Sequence, residues 1–272
     1  MLYVLFVGVL MGLANLIPGV SGGTIALLGG LYERFVGSIS SVSAFKIRKE
    51  DVVFLIEIVA GIVIGILGFS TLIDVSLSRV PSLMYGIFSG LVIGGTPVVF
   101  KRIEKFDSTS FPFLVIGGLL VYLVSILGSG PGKEAVLNHN AASLLYDVFA
   151  GFFGAAAMVL PGLSGAFILL IMGEYTRAIA ALRHFDFVII VVLGVGVILG
   201  IVFVSRLMKF LMKRFRSQTF AFLLGLMIGS LPDLFMRPGS NSNVLQIIIG
   251  LVSGLAISYL LSMFEKKDRI EP

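Results

Sequence analysis

Pro18-Gly19-Val20-Ser21-Gly22 and Pro161-Gly162-Leu163-Ser164-Gly165 lie 143 residues apart and share their surroundings. Gly30, Tyr32 and Arg34 follow the first stretch, and Gly173, Tyr175 and Arg177 follow the second, with no gap across seventeen positions. The echo resumes after eight fewer residues, where Gly90, Gly94, Pro97 and Arg102 fall on Gly225, Gly229, Pro232 and Arg237. The chain is a duplication. Each half interrupts an apolar stretch with the same helix-breaking, polar-lined element. In a membrane protein, matching interruptions in two halves are the best sequence pointer to a binding site.

Composition sets the solvent. A mean hydropathy of +1.08, with 57% apolar and 13% charged residues, excludes an ordinary soluble domain. Several apolar runs are long enough to cross roughly 30 Å of hydrocarbon. Residues 1–272 therefore read as a single integral membrane domain, with repeat one at 1–128 and repeat two at 144–264. The absence of cysteine excludes disulfides and thiolate chemistry. No metal site and no cofactor is expected. The net charge of +5 is scattered among short loops and reads as membrane topology; no nucleic-acid partner is expected. Residues 2–17 lack a basic leader and run straight into the first motif, so a cleaved signal peptide is not expected.

Each half opens with an interrupted apolar stretch, 2–31 and 144–172, and continues with three plainer ones. These are 52–69, 83–100 and 111–127, then 187–204, 220–235 and 244–263. Loops are expected between them, and Ser129-Gly130-Pro131-Gly132 marks the seam of the halves. No stretch alternates as a strand would, so all is read as α-helix. The basic residues choose the topology. If every apolar stretch crosses once, the twenty Lys and Arg divide evenly between the two sides. If the interrupted stretches instead return to their side of entry, the division is fifteen to five, the kind of excess the positive-inside rule leads one to expect. The expected fold is thus an all-α membrane protein of two inverted repeats, each a re-entrant helical hairpin plus three transmembrane helices. Both termini are cytoplasmic and the chain sits in the cytoplasmic (plasma) membrane.

The motifs carry the candidate chemistry. Pro18 lacks an amide donor, and Gly19, Gly22 and Gly23 allow a helix to end sharply. The helix restarting near Ser21 presents free N–H groups, to which Ser21 and Thr24 add hydroxyls and Asn15 an amide. This forms an anion cradle. Pro161, Gly162, Ser164 and Gly165 repeat the arrangement with fewer donors, because Ala166 and Phe167 replace Gly23 and Thr24. On a straight helix at about 1.5 Å per residue, Arg34 and Arg177 would lie some 18–20 Å beyond their motifs, toward opposite faces. A guanidinium fork suits phosphate. Either arginine also fits an interfacial anchor. Glu33 is expected to be a solvated neighbour of Arg34, and Glu174 has no counterpart in the first half. Glu57, inside an apolar span, fits a proton carrier or the structural partner of an arginine. His139 and His184 are expected in ordinary loops. Arg206, Lys209, Lys213, Arg214 and Arg216 form a basic cluster expected to face anionic lipid.

The stretch from Gly12 through Asn15, Pro18, Ser21 and Gly22 to Thr24, with Gly30-Leu31-Tyr32-Glu33-Arg34, resembles the signature of the DUF368 membrane proteins. Leu160 to Gly165, with Gly173-Glu174-Tyr175, resembles that family's second block. Ala166 stands where the family often has a small polar residue. The resemblance implies a flippase that returns polyprenyl monophosphate, the lipid carrier of cell-envelope glycans, for reuse. Its partners would be that lipid, the surrounding membrane lipids and a coupling proton or sodium ion. Two alternatives stay open on the residues alone. One is an ion-coupled carrier of a small anion. The other is a polyprenyl-pyrophosphate phosphatase, although Gly22 and Gly165 stand where such enzymes place an arginine.

Overall fold

Apolar runs become helices because, away from water, each backbone N–H and C=O must find its partner within the segment. The computed structural model describes residues 2–17, 20–127, 137–238 and 242–268, with side chains through Met263. Pro18 and Gly19 of the first motif, and the seam at Ser129–Gly132, lie outside the described residues. Among the described residues there are twelve α-helices and no strand. The first half holds α1 (Leu2–Asn15), α2 (Gly22–Leu28), α3 (Tyr32–Ser43), α4 (Lys49–Arg79), α5 (Pro81–Phe100) and α6 (Phe111–Leu127). The second holds α7 (Ala141–Val159), α8 (Gly165–Ile171), α9 (Tyr175–Arg183), α10 (Phe187–Arg214), α11 (Arg216–Met236) and α12 (Val244–Asp268). Six of them, α4, α5, α7, α10, α11 and α12, are long and apolar enough to span a bilayer. Leu67, Ile198 and Val252 stand exposed on their outer faces, as side chains bordering hydrocarbon do. This is a multi-pass membrane protein.

Two expectations need correction. The regions 70–82 and 205–219 are not loops: α4 runs on to Arg79 and α10 to Arg214, with a single-residue break at Val80 and at Phe215. Charged residues end an apolar run without ending a helix. The straight-helix placement of the two arginines also fails. Gly30 and Gly173 adopt left-handed φ values of 69° and 76°, and the axis turns by 106° between α8 and α9. Only glycine takes that conformation without cost.

The halves pair their helices in the same way. α1 packs on α4 as α7 packs on α10, while α5 packs on α12 and α11 on α6, each reaching across to the other half. Glycines set these seams. A Cβ at Gly8 would lie 2.7 Å from the Ile58 carbonyl, and one at Gly229 would lie 2.7 Å from the Gly118 carbonyl. Pairs spaced four apart recur at Gly61 and Gly65, Gly196 and Gly200, Gly86 and Gly90, and Gly250 and Gly254, the small-residue spacing that brings membrane helices together. After each break the chain turns back along the helix it left. The Tyr3 hydroxyl donates to the Gly29 carbonyl at 2.8 Å, and the equivalent Tyr146 donates to the Met172 carbonyl at 3.0 Å.

Candidate functional site

The two motifs meet. Ser21 caps α2 in an extended conformation, its oxygen accepting the Gly23 N–H at 3.0 Å. Its hydroxyl faces the Met158 carbonyl at 2.9 Å and the Leu160 carbonyl at 3.0 Å, where α7 ends before the second motif. Thr24 Oγ1 accepts the Gly162 N–H at 3.0 Å, and the Gly22 N–H donates to Asn15 Oδ1 at 2.9 Å. Gly23 abuts the Val159 carbonyl so closely that a Cβ has no room. The Ser21 hydroxyl and the Gly22 and Gly23 N–H groups assigned to an anion cradle are thus engaged within the protein in this conformation. Gly162, at φ 83°, makes the second turn, and Ser164 caps α8 through the Phe167 N–H at 3.4 Å. Pro161 and Gly165 are buried beside it.

Beside Ser164 lies a water-sized nook of about 20 Å3, lined in part by Ser125, Ser230 and Asp233. Arg237 donates to Asp233 at 2.7 Å, and its guanidinium lies 5.4 Å from the Phe167 ring centroid. Val124 and Leu163 border both this nook and a larger apolar groove of about 330 Å3. The groove runs between α6, α7, α8 and α11 and opens sideways past exposed Leu120 and Phe153.

The two arginines differ. Arg177, 5% exposed, donates to both carboxylate oxygens of fully buried Asp147, from Nε at 2.8 Å and from a terminal nitrogen at 3.0 Å. It also reaches the Asn138 carbonyl at 2.7 Å and lies 3.4 Å from Glu174. Arg34 is exposed and stacks on Phe54, 4.4 Å from the ring centroid. It lines an open cup of about 340 Å3 with Lys49, Glu50 and Glu57. Glu57 Oε1 is buried there with no hydrogen-bond partner among the described residues, so the expected arginine partner is not found. Asp147 was missed from the sequence, although the signal that singles out Glu57, an acid inside an apolar run, marks it equally.

Glu33 is not simply a solvated neighbour of Arg34. It bridges Arg102 at 2.8 Å and Arg216 at 2.9 Å. The basic cluster also serves the fold, since Arg206 bonds Ser43 and Lys209 bonds Ser41. These contacts gather 32–51, 101–110 and 205–219 at one end of the molecule. Elsewhere, His139 contacts Asp186 at 2.8 Å and the Asn243 N–H donates to Ser82 at 3.0 Å. His139 is therefore no bystander, while His184 caps the end of α9.

Comparison with known proteins identifies the family. The model of the VCA0040-like, undecaprenyl phosphate translocase-like family matches residues 11–248, and the chain belongs to that family. A Vibrio cholerae protein named polyprenyl-phosphate transporter is 31% identical over 240 residues, covering 84% of this chain and 75% of its own length. A Staphylococcus aureus protein of the same name is 31% identical over 268 residues, covering 94% and 93%. No solved structure matches the chain.

Proposed function

We propose that this member of the undecaprenyl phosphate translocase-like family is a flippase for polyprenyl monophosphate in the cytoplasmic membrane, and that it is not an enzyme. The observation that carries the reading is the seam between the motifs, where Ser21 and Thr24 of one half bond the backbone around Leu160 and Gly162 of the other. A phosphate head crossing there exchanges these internal hydrogen bonds for its own, while the tail stays in lipid. The sideways opening of the adjacent groove favours a lipid cargo over a soluble anion. Arg34 meets the head at one face. Arg177 meets it at the other, with Asp147 holding the place of the phosphate between cycles. Glu57 fits a coupling proton.

The halves are inverted, with both termini cytoplasmic and the segments containing α1–α2 and α7–α8 re-entrant. The return of α2 to Tyr3 and of α8 to Tyr146 supports this, as does the gathering of three basic regions at one end. Single cysteines at Ser41 and Ser217 should label from the cytoplasm and one at Ser78 from outside; labelling of 41 and 217 from opposite sides refutes the inversion. Transport is tested in proteoliposomes with a labelled short-chain polyprenyl phosphate, which should move between leaflets without release of inorganic phosphate. Release of phosphate, or transport of a soluble anion indifferent to the prenyl lipid, overturns the flippase.

A further inference from the structure

Short helices α2 and α8 are repeat partners, yet all seven residues of α2 are buried and Gly165 alone of α8 is. The neighbouring tyrosines follow suit, Tyr32 being fully buried and Tyr175 40% exposed. The cause lies in the long helix opposite. α2 packs on α5, where Gly95 lets Leu28 come up against the backbone. The equivalent of Gly95 in α11 is Ser230, and α8 stands off from α11 across the apolar groove, with Ile168 and Ile171 on one wall and Phe222 on the other. A space that protein closes in one half is open in the other.

We propose that the groove between α8 and α11 binds the head-proximal segment of the isoprenoid tail, so that the identity of the chain is read beside the second motif and not beside the first. This rests on the flippase reading. Each lining side chain of the groove is apolar, and the one polar feature at its edge is the nook beside Ser164, which sets the direction of the chain with its head toward the motif. At about 330 Å3 the groove is at the small end of ligand sites, enough for a few isoprene units and not for the whole tail. Ala156 and Ala157, set between Phe153 and Leu160, leave recesses on one wall. Methyl branches along a prenyl chain fill such recesses, whereas a straight acyl chain leaves them empty and forfeits dispersion contacts. The open lip lets the rest of the tail remain in the bilayer.

The test uses the full chain in phosphatidylcholine nanodiscs with a polyprenyl phosphate carrying a diazirine on its second isoprene unit. Photo-adducts are expected on the groove wall around Phe153, Ala156 and Ile168, and excess diacyl phosphatidic acid should not displace them. Ala156→Phe should weaken binding of a long-chain polyprenyl phosphate at least fivefold. Adducts spread over all lipid-facing helices, or equal displacement by phosphatidic acid, would each overturn the proposal. So would transport by the unmodified protein together with an unchanged affinity of Ala156→Phe for the long-chain lipid, and in that case the flippase would stand. Failure of the unmodified protein to bind or move any polyprenyl phosphate overturns both. The photo-adduct arm needs no substitution, so a poorly folding variant does not blunt the test.

Discussion

Arg177 and Arg34 stand at the same place in the two repeats and do different work. Arg177 is gripped through two nitrogens by Asp147, which lies at the position of Val4 in the first half. Arg34, with valine where the acid would be, rests on an aromatic ring beside an open cup. Acids at two positions of a duplicated element, Asp147 for Val4 and Glu174 for Leu31, separate a latched cation from an available one. The largest expected effect follows from the latch. Asp147→Ala leaves a buried guanidinium without its carboxylate, and breaking a buried pair costs about 3–5 kcal/mol. Thermal unfolding of the detergent-solubilised chain should show this loss. The double variant Asp147→Ala, Arg177→Met should recover much of it. A single variant as stable as the parent would show that the pair is not a latch.

The open half should respond in the opposite way. Arg34→Ala removes an exposed cation–π contact contributing about 0.5–1 kcal/mol, so stability should barely change. Charge-assisted hydrogen bonds to phosphate contribute on the order of 1.5–3 kcal/mol, so head-group binding should weaken roughly tenfold or more. Val4→Asp sharpens the contrast by placing a carboxylate in the Arg34 cup, as Asp147 does for Arg177. Transport should fall in that variant with little change in yield. Full transport by both variants would make Arg34 an interfacial anchor and move the head-group site elsewhere.

The positions compared in the two repeats were legible in the sequence. The offset of 143 located both motifs, both breaks and both arginines, because a duplication keeps its glycines and prolines where the backbone must turn. Gly30 and Gly173, which the repeat singled out, prove to be the left-handed corners. The partners were not legible. Asp147 and Arg177 are thirty residues apart, and Glu33 and Arg216 are 183 apart. Such pairings depend on how helices distant in the chain come together, which no local periodicity reports. Helix ends were misread at Arg79 and Arg214 because hydropathy marks where lipid ends, whereas a helix continues until its backbone is interrupted. The seams at Gly61, Gly65, Gly86 and Gly90 could have been read from spacing alone, since close helix contact in lipid requires small residues.

A smaller effect is expected at Glu33, whose repeat counterpart is Thr176. It holds Arg102 and Arg216 together, but its side chain is 35% exposed and solvent screens the pairs. Glu33→Gln should therefore cost less than about 1 kcal/mol per pair, well below Asp147→Ala in the same unfolding assay. A loss as large as that of Asp147 would mean that the bridge between the halves, where the basic regions gather, contributes as much as the buried pair inside the second half.

The smallest effect separates the α3–α4 corner from the α9–α10 corner. Asp51 accepts the Ser38 hydroxyl at 2.7 Å, whereas its counterpart Asp186 faces His139 at 2.8 Å and caps α10 through the Ile189 N–H at 3.3 Å. Burial opposes ionisation of Asp186, but the Ile189 and Val188 N–H groups and His139 outweigh it and hold its carboxyl below the usual carboxylate range. A depressed folded-state pKa gives stability that is present above the unfolded value of about 3.9 and is lost as pH falls through the lower folded value. Stability owed to Asp186 should therefore be constant from neutral pH down to about pH 5 and decline only in stronger acid. Asp186→Asn should lower the unfolding temperature slightly at neutral pH and remove that part of the acid decline, while Asp51→Asn should leave the decline in place. An acid decline unchanged in Asp186→Asn would show that the cap does not depend on the charge, and the two corners would then differ in geometry alone.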